Sequence, residues 1–120
     1  MSKYSLSIDL DDDIDDVLAR TREALAAEGF GVLTEIDVDI EPYVILGACI
    51  PSLAYQALQA EPELGVLLPC NVVVYRADGR TRVSAVDAEQ MLGMVGNRDL
   101  MPVATEVAAR LDRVLGAIAA

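Results

Sequence analysis

Two stretches decide the fold: Pro42–Pro51, PYVILGACIP, and Leu64–Tyr75, LGVLLPCNVVVY. Each is an apolar run dense enough for a buried strand, and between them they hold both cysteines of the chain, Cys49 and Cys70. Pro51 follows Cys49 by two residues, and Pro69 directly precedes Cys70. Proline cannot donate to a sheet ladder, so each strand should end or bulge beside its cysteine.

Outward from these stretches, Phe30–Asp39 reads as a strand that Glu41-Pro42 breaks. The short connection to Tyr43–Ala48 predicts an antiparallel hairpin. Pro51 and Ser52 suit a helix start, and Leu53–Ala60 reads as a short helix stopped before Pro62. Gly65–Leu68 with Asn71–Arg76 reads as one strand bulged at Pro69-Cys70. Ala77-Asp78-Gly79 is a tight turn into the strand Thr81–Val86.

The ends of the chain supply the helices. Ser2–Leu10 alternates with period two, a strand with one solvated face. Asp11 or Asp12 can cap the helix that follows, with Asp16 and Arg20 as an i,i+4 pair. Its apolar face is Ile14, Val17, Leu18, Thr21, Ala24 and Leu25, and Gly29 ends it. Asp87–Gln90 is a capping box for a short helix to about Val95. A last helix, capped by Asp99, carries the stripe Val103, Val107, Leu111, Val114, Leu115 and Ile118. The order is β-α-β-β-α-β-β-α: one α+β domain over residues 1–120, with a mostly antiparallel five-strand sheet and helices on one face. Gly31-Val32-Leu33 and Gly65-Val66-Leu67 suggest two similar halves.

The totals narrow the function. The net charge is −11 with nine basic residues, too few for a phosphate-binding face, which excludes nucleic acid and anionic membranes as partners. No apolar run reaches the roughly 18 residues of a membrane span. The start, MSKYSLSIDLDDD, lacks the pattern of a signal peptide. The expected location is the cytoplasm, where the cysteines stay reduced. There is no histidine, so Ser-His and Cys-His nucleophile pairs and histidine metal sites are excluded.

The motifs LGACIPSLAYQAL, at Leu46–Leu58, and LLPCNVVVY, at Leu67–Tyr75, resemble the bacterial and archaeal family called domain of unknown function 302. The upstream GFGVLTEIDV and downstream MLGMVGN extend the resemblance over nearly the whole chain. It implies a TATA-binding-protein-like α+β fold, often found as a homodimer. It implies no established activity, cofactor or substrate. Two departures stand out: the connection Asp37–Glu41 is short, and Ile50 stands where the family usually has asparagine.

Chemistry is sparse. No phosphate loop occurs, and Gly29-Phe30-Gly31 follows a helix, the wrong order for a dinucleotide turn. Asp11, Asp13 and Asp15 have calcium-loop spacing, but Asp16 replaces the glycine and Arg22 the closing glutamate. Glu35 and Asp37 share a strand face that reads as solvated, without desolvation to make them acid–base groups. The cysteines remain. Cys49, at a strand-to-helix junction, is where backbone N–H groups lower a thiol pKa, and it is the expected more reactive thiol. Cys70 is the expected more buried one. Packing, a thiol site and a disulfide all stay open for them.

The candidate ligand-binding residues are therefore Gly47, Ala48, Cys49, Pro51, Pro69, Cys70 and Asn71. The cofactor is unknown, and no metal site is expected. The leading expectation is a homodimeric, non-catalytic module binding a small apolar or thiol-reactive ligand between sheet and helices. The alternatives are a thiol-dependent enzyme or sulfur carrier using Cys49 or Cys70, and a purely structural interaction domain.

Overall fold

The computed structural model describes residues 3–120. Five strands form one sheet: β1 (Ser5–Leu10), β2 (Gly31–Asp37), β3 (Tyr43–Cys49), β4 (Cys70–Ala77) and β5 (Arg80–Val86). Their order is β1-β5-β4-β3-β2, and every neighbouring pair is antiparallel. Among the described residues there are also the α-helices α1 (Ile14–Ala27), α2 (Pro51–Ala60), α3 (Ala88–Gly93) and α4 (Met101–Ala119). The first expected strand residue, Ser2, lies outside the described residues.

Alternation along the strands makes two unlike faces. Val44, Leu46, Ala48, Cys70, Val72, Val74, Val83 and Ala85 are buried. Opposite them on the helix side lie Val17, Thr21, Ala24 and Leu25 of α1 and the whole expected stripe of α4. Each fully buried aliphatic side chain contributes about 1.5–3 kcal/mol, so this single layer of contacts holds the domain together. The buried Thr21 hydroxyl donates to the Val17 carbonyl at 2.7 Å, which removes the penalty for its burial.

Local signals act as expected in several places. The Asp87 carboxylate accepts the Gln90 N–H and caps α3. Asp78 and Gly79 both have positive φ, 53° and 76°, which the two-residue β4–β5 turn requires. Pro102 sits in the first turn of α4.

Other expectations are corrected. Gly65–Leu68 is not strand: Pro62–Leu67 forms a 3₁₀ turn, and β4 starts at Cys70. The turn buries Leu64 and leaves Val66 81% exposed; an apolar run alone does not distinguish these two states. The match between Gly31-Val32-Leu33 and Gly65-Val66-Leu67 is thus one of letters, since only the first is strand. Asp16 does not pair with Arg20; Asp12 does, at 2.6 Å. Asp11 pairs with Arg80 at 2.9 Å, and Asp13 occupies the cap of α1 without a side-chain bond. Asn97, not Asp99, caps the approach to α4, accepting the Asp99 N–H into a 3₁₀ turn at Arg98–Leu100.

Candidate functional site

The β3 and β4 ladder brings Ala48 opposite Cys70, so both cysteines lie at one end of the sheet. They border a cavity between the sheet, α2 and α4, lined by Phe30, Ile50, Leu53, Leu64 and Val103 among others. Its volume is about 30 Å³, room for one water, and its apolar walls offer that water no partners. Both cysteines are free thiols, Cys70 buried and Cys49 half-buried. Burial pushes the Cys70 thiol up to about 11, and the neighbouring Cys49 adds to this. Burial also pushes the Cys49 thiol up. The expected lowering at the helix start is therefore reversed: desolvation of the sulfur outweighs the N–H groups of α2.

The seven candidate residues do not converge. Ala48, Cys49 and Cys70 border the cavity. Pro51 is exposed at the first turn of α2. Gly47 belongs to the other sheet face, where Thr34 and Pro69 fill the space beside it. Asn71, its partner across the ladder, is exposed on that same face. Glu35 and Asp37 do share a face and are exposed, but Glu35 is paired with Arg22 at 2.7 Å.

Among the described residues, no helix covers the second sheet face. It runs from polar to apolar across the strands. On β1 and β5, Ser7 and Ser84 share a hydrogen bond at 2.7 Å, and Arg82 donates to both carboxylate oxygens of Asp9 at 2.7 and 3.2 Å. This bidentate contact holds the Asp9 carboxyl below its ordinary range, and Asp9 and Tyr75 together hold the Arg82 guanidinium charged. On β3 and β4, Tyr43 and Tyr75 stack with ring centroids 4.9 Å apart. Ile45 lies opposite Val73 in the next row, and Ile36 of β2 lies opposite Ile45. A groove of about 350 Å³ runs over this face beside Tyr43, Tyr75, Asn71 and Ser84. Of this surface, the candidate ligand-binding residues included Gly47, Pro69 and Asn71, while the apolar runs Tyr43–Ala48 and Val72–Tyr75 were legible as strand surface in need of cover. The signal was the alternate residues of β3, β4 and β5, once their register is known.

A single-layer antiparallel sheet with helices on one face, free thiols in its core and an open second face defines a small α+β domain without a catalytic constellation among the described residues. The chain belongs to the family described as domain of unknown function DUF302, whose model matches residues 6–118. It is similar to a solved structure titled as an uncharacterized conserved protein DUF302 from Bacillus stearothermophilus. The identity is 28%, the TM-score 0.89, and the match covers 97% of this chain and 98% of that one. No curated protein matches.

Proposed function

We propose that this protein is a non-catalytic, homodimeric interaction module that self-associates through the open face of its sheet. The observation that carries this reading is the composition of that face. Tyr43, Ile45, Val73 and Tyr75 form a half-buried apolar band that no helix covers among the described residues. Its polar flank is balanced, since Asp9 is matched by Arg82. A chain of net charge −11 repels its copies over most of its surface, and a charge-balanced apolar face is where two copies approach at least cost. The cytoplasm, with its reducing poise, suits the two free thiols.

Thiol chemistry fits less well, because both sulfurs are held protonated at neutral pH by burial. A small-ligand reading is favoured by one observation, the groove of about 350 Å³ beside the stacked tyrosines, which is within the size range of ligand sites. Its occupant would be a flat, apolar molecule, and a second copy would close over it.

Light scattering at micromolar concentration tests the reading. Twice the chain mass is expected, with Ile45→Lys and Val73→Lys giving folded monomers. A monomeric parent chain, or dimers unaffected by both variants, would refute it. Thermal stabilisation by planar apolar compounds, lost in Tyr75→Ala, would support the ligand reading instead.

A further inference from the structure

The β2 strand closes the sheet on one side, so its outer edge has no partner strand among the described residues. All seven of its residues are exposed. In an antiparallel pair every second residue turns its N–H and C=O away from the partner, and no proline interrupts residues 31–41 to remove those donors. Beyond the irregularity at Val32–Thr34, strand β2 therefore offers a regular ladder edge from Thr34 to Asp37.

Two further properties of the edge coincide. The register slips between Val32 and Thr34, which leaves Leu33 63% exposed. With Ile36 at 52% and Ile40 at 87%, and Val32 and Val38 partly open, five large apolar side chains face solvent within nine positions. The edge is also acidic. No lysine or arginine occurs from Glu23 to Tyr75, a span holding eight carboxylates. Arg22 reaches in to neutralise Glu35. Among the described residues, Asp37, Asp39 and Glu41 have no cation in ion-pair reach.

We infer that the β2 edge is a docking site for an extended segment of another protein in which apolar residues alternate with lysine or arginine. The segment adds a sixth strand beside β2. Its backbone completes the ladder beside β2, its apolar residues meet Leu33 and Ile36, and its cations meet Asp37 at the end of the strand and Asp39 and Glu41 in the bend beyond it. Charge argues against a second copy in this position. Two β2 edges would set carboxylates against carboxylates, and the opposite edge, β1, offers β2 no spare cation, since Arg82, Arg80 and Arg20 there are already paired with Asp9, Asp11 and Asp12. The carboxylates that keep the edge from pairing with itself thus select a basic strand and draw it in. This inference does not rest on the open-face dimer, whose band lies on β3 and β4; Ile36 alone borders both surfaces.

The probe is a capped, fluorescent heptapeptide of alternating lysine and valine, titrated at physiological salt and read by anisotropy. Two analogues of equal charge carry N-methyl groups on the valines or on the lysines, which blocks one set of ladder hydrogen bonds in each. Saturable binding of the parent peptide is expected, with at least tenfold weakening for one of the analogues. The double variant D37K/D39K should weaken the parent by a similar factor, while Val73→Lys leaves it unchanged. Exchange of the β2 amides that point away from β3 should slow only when peptide is present, while those bonded to β3 are protected throughout. Equal binding by both analogues would reduce the interaction to net charge and overturn the proposal, as would no saturable binding at all. Slow exchange of those outward-pointing amides without peptide would mean that a second copy occupies the edge, and would overturn it equally.

Discussion

Pro69 lies against Gly47 so closely that a Cβ built on the glycine would stand 2.8 Å from the proline Cγ, and it would also collide with the Thr34 hydroxyl. Three segments meet there: β3, the bulged start of β2, and the residue that leads into β4. The glycine is required by the neighbours that already occupy its side-chain position.

Gly47→Ala should therefore destabilise the protein by about 1–3 kcal/mol, the usual range for overpacking. Thr34→Ala in the same chain should recover part of that loss and leave the part due to Pro69. Urea unfolding of the single and double variants measures this. Strictly additive effects would show that Thr34 is not the obstruction.

Leu111 is 1% exposed at the centre of the α4 stripe, while Leu33 on the sheet edge is 63% exposed. Leu111→Ala should cost about 2–5 kcal/mol, and Leu33→Ala should fall within about 0.5 kcal/mol of the parent. Equal costs in denaturant unfolding would contradict the placement of α4 on the sheet.

The thiols should resist alkylation at neutral pH in the folded state, with Cys49 reacting before Cys70, since Cys49 is the more exposed. Single-cysteine variants, Cys49→Ser and Cys70→Ser, assign the rates. Cys70 also predicts an alkaline limb. Its thiol ionises near 9.0 when unfolded and near 11 when folded. Below the lower value both states are protonated and the group has no effect. Between the two values the unfolded chain ionises first, so stability falls as pH rises, by at most about 3 kcal/mol. The slope of the urea midpoint against pH should flatten in Cys70→Ala.

Asp9 acts at the other end of the scale. The hydrogen bonds from Arg82 place its folded pKa below the 3.8 of the free side chain. The stabilisation is present above that value and is lost as pH falls through the folded pKa. Because the pair is on the surface, the effect on stability is small, and the titration itself is the better readout. The Asp9 carboxyl resonance should titrate below 3.8 in the parent and move up in Arg82→Gln; an unmoved curve would remove Arg82 as the cause.

Much of this architecture is legible in the sequence, for local reasons. The α4 stripe repeats at helical spacing and is buried throughout. The Asp87 cap and the Asp78-Gly79 turn are set by side-chain and backbone preferences within four residues. The failures are those of distance. Leu64–Leu68 has the composition of a strand, and only its packing under α2 makes it a turn. Arg20 chose Asp12 over Asp16 because the chain bends back before α1. The candidate site dissolved for a related reason. Five of the seven residues lie on β3 and β4 and alternate between faces, so proximity in sequence placed side chains from both faces in one imagined pocket. The direction of the Cys49 shift likewise depends on burial by groups remote in the chain, against which a helix start is a weak local term.

The long span without a cation has one more consequence. Trypsin cuts after lysine and arginine, so nothing between Arg22 and Arg76 can be cleaved. Complete digestion releases β2, β3, α2 and the larger part of β4 as one fragment, Glu23–Arg76, carrying both cysteines. A disulfide formed within one chain leaves that fragment at a single-fragment mass, two hydrogens lighter, while one formed between chains doubles it. One mass spectrum of oxidised protein therefore separates the two.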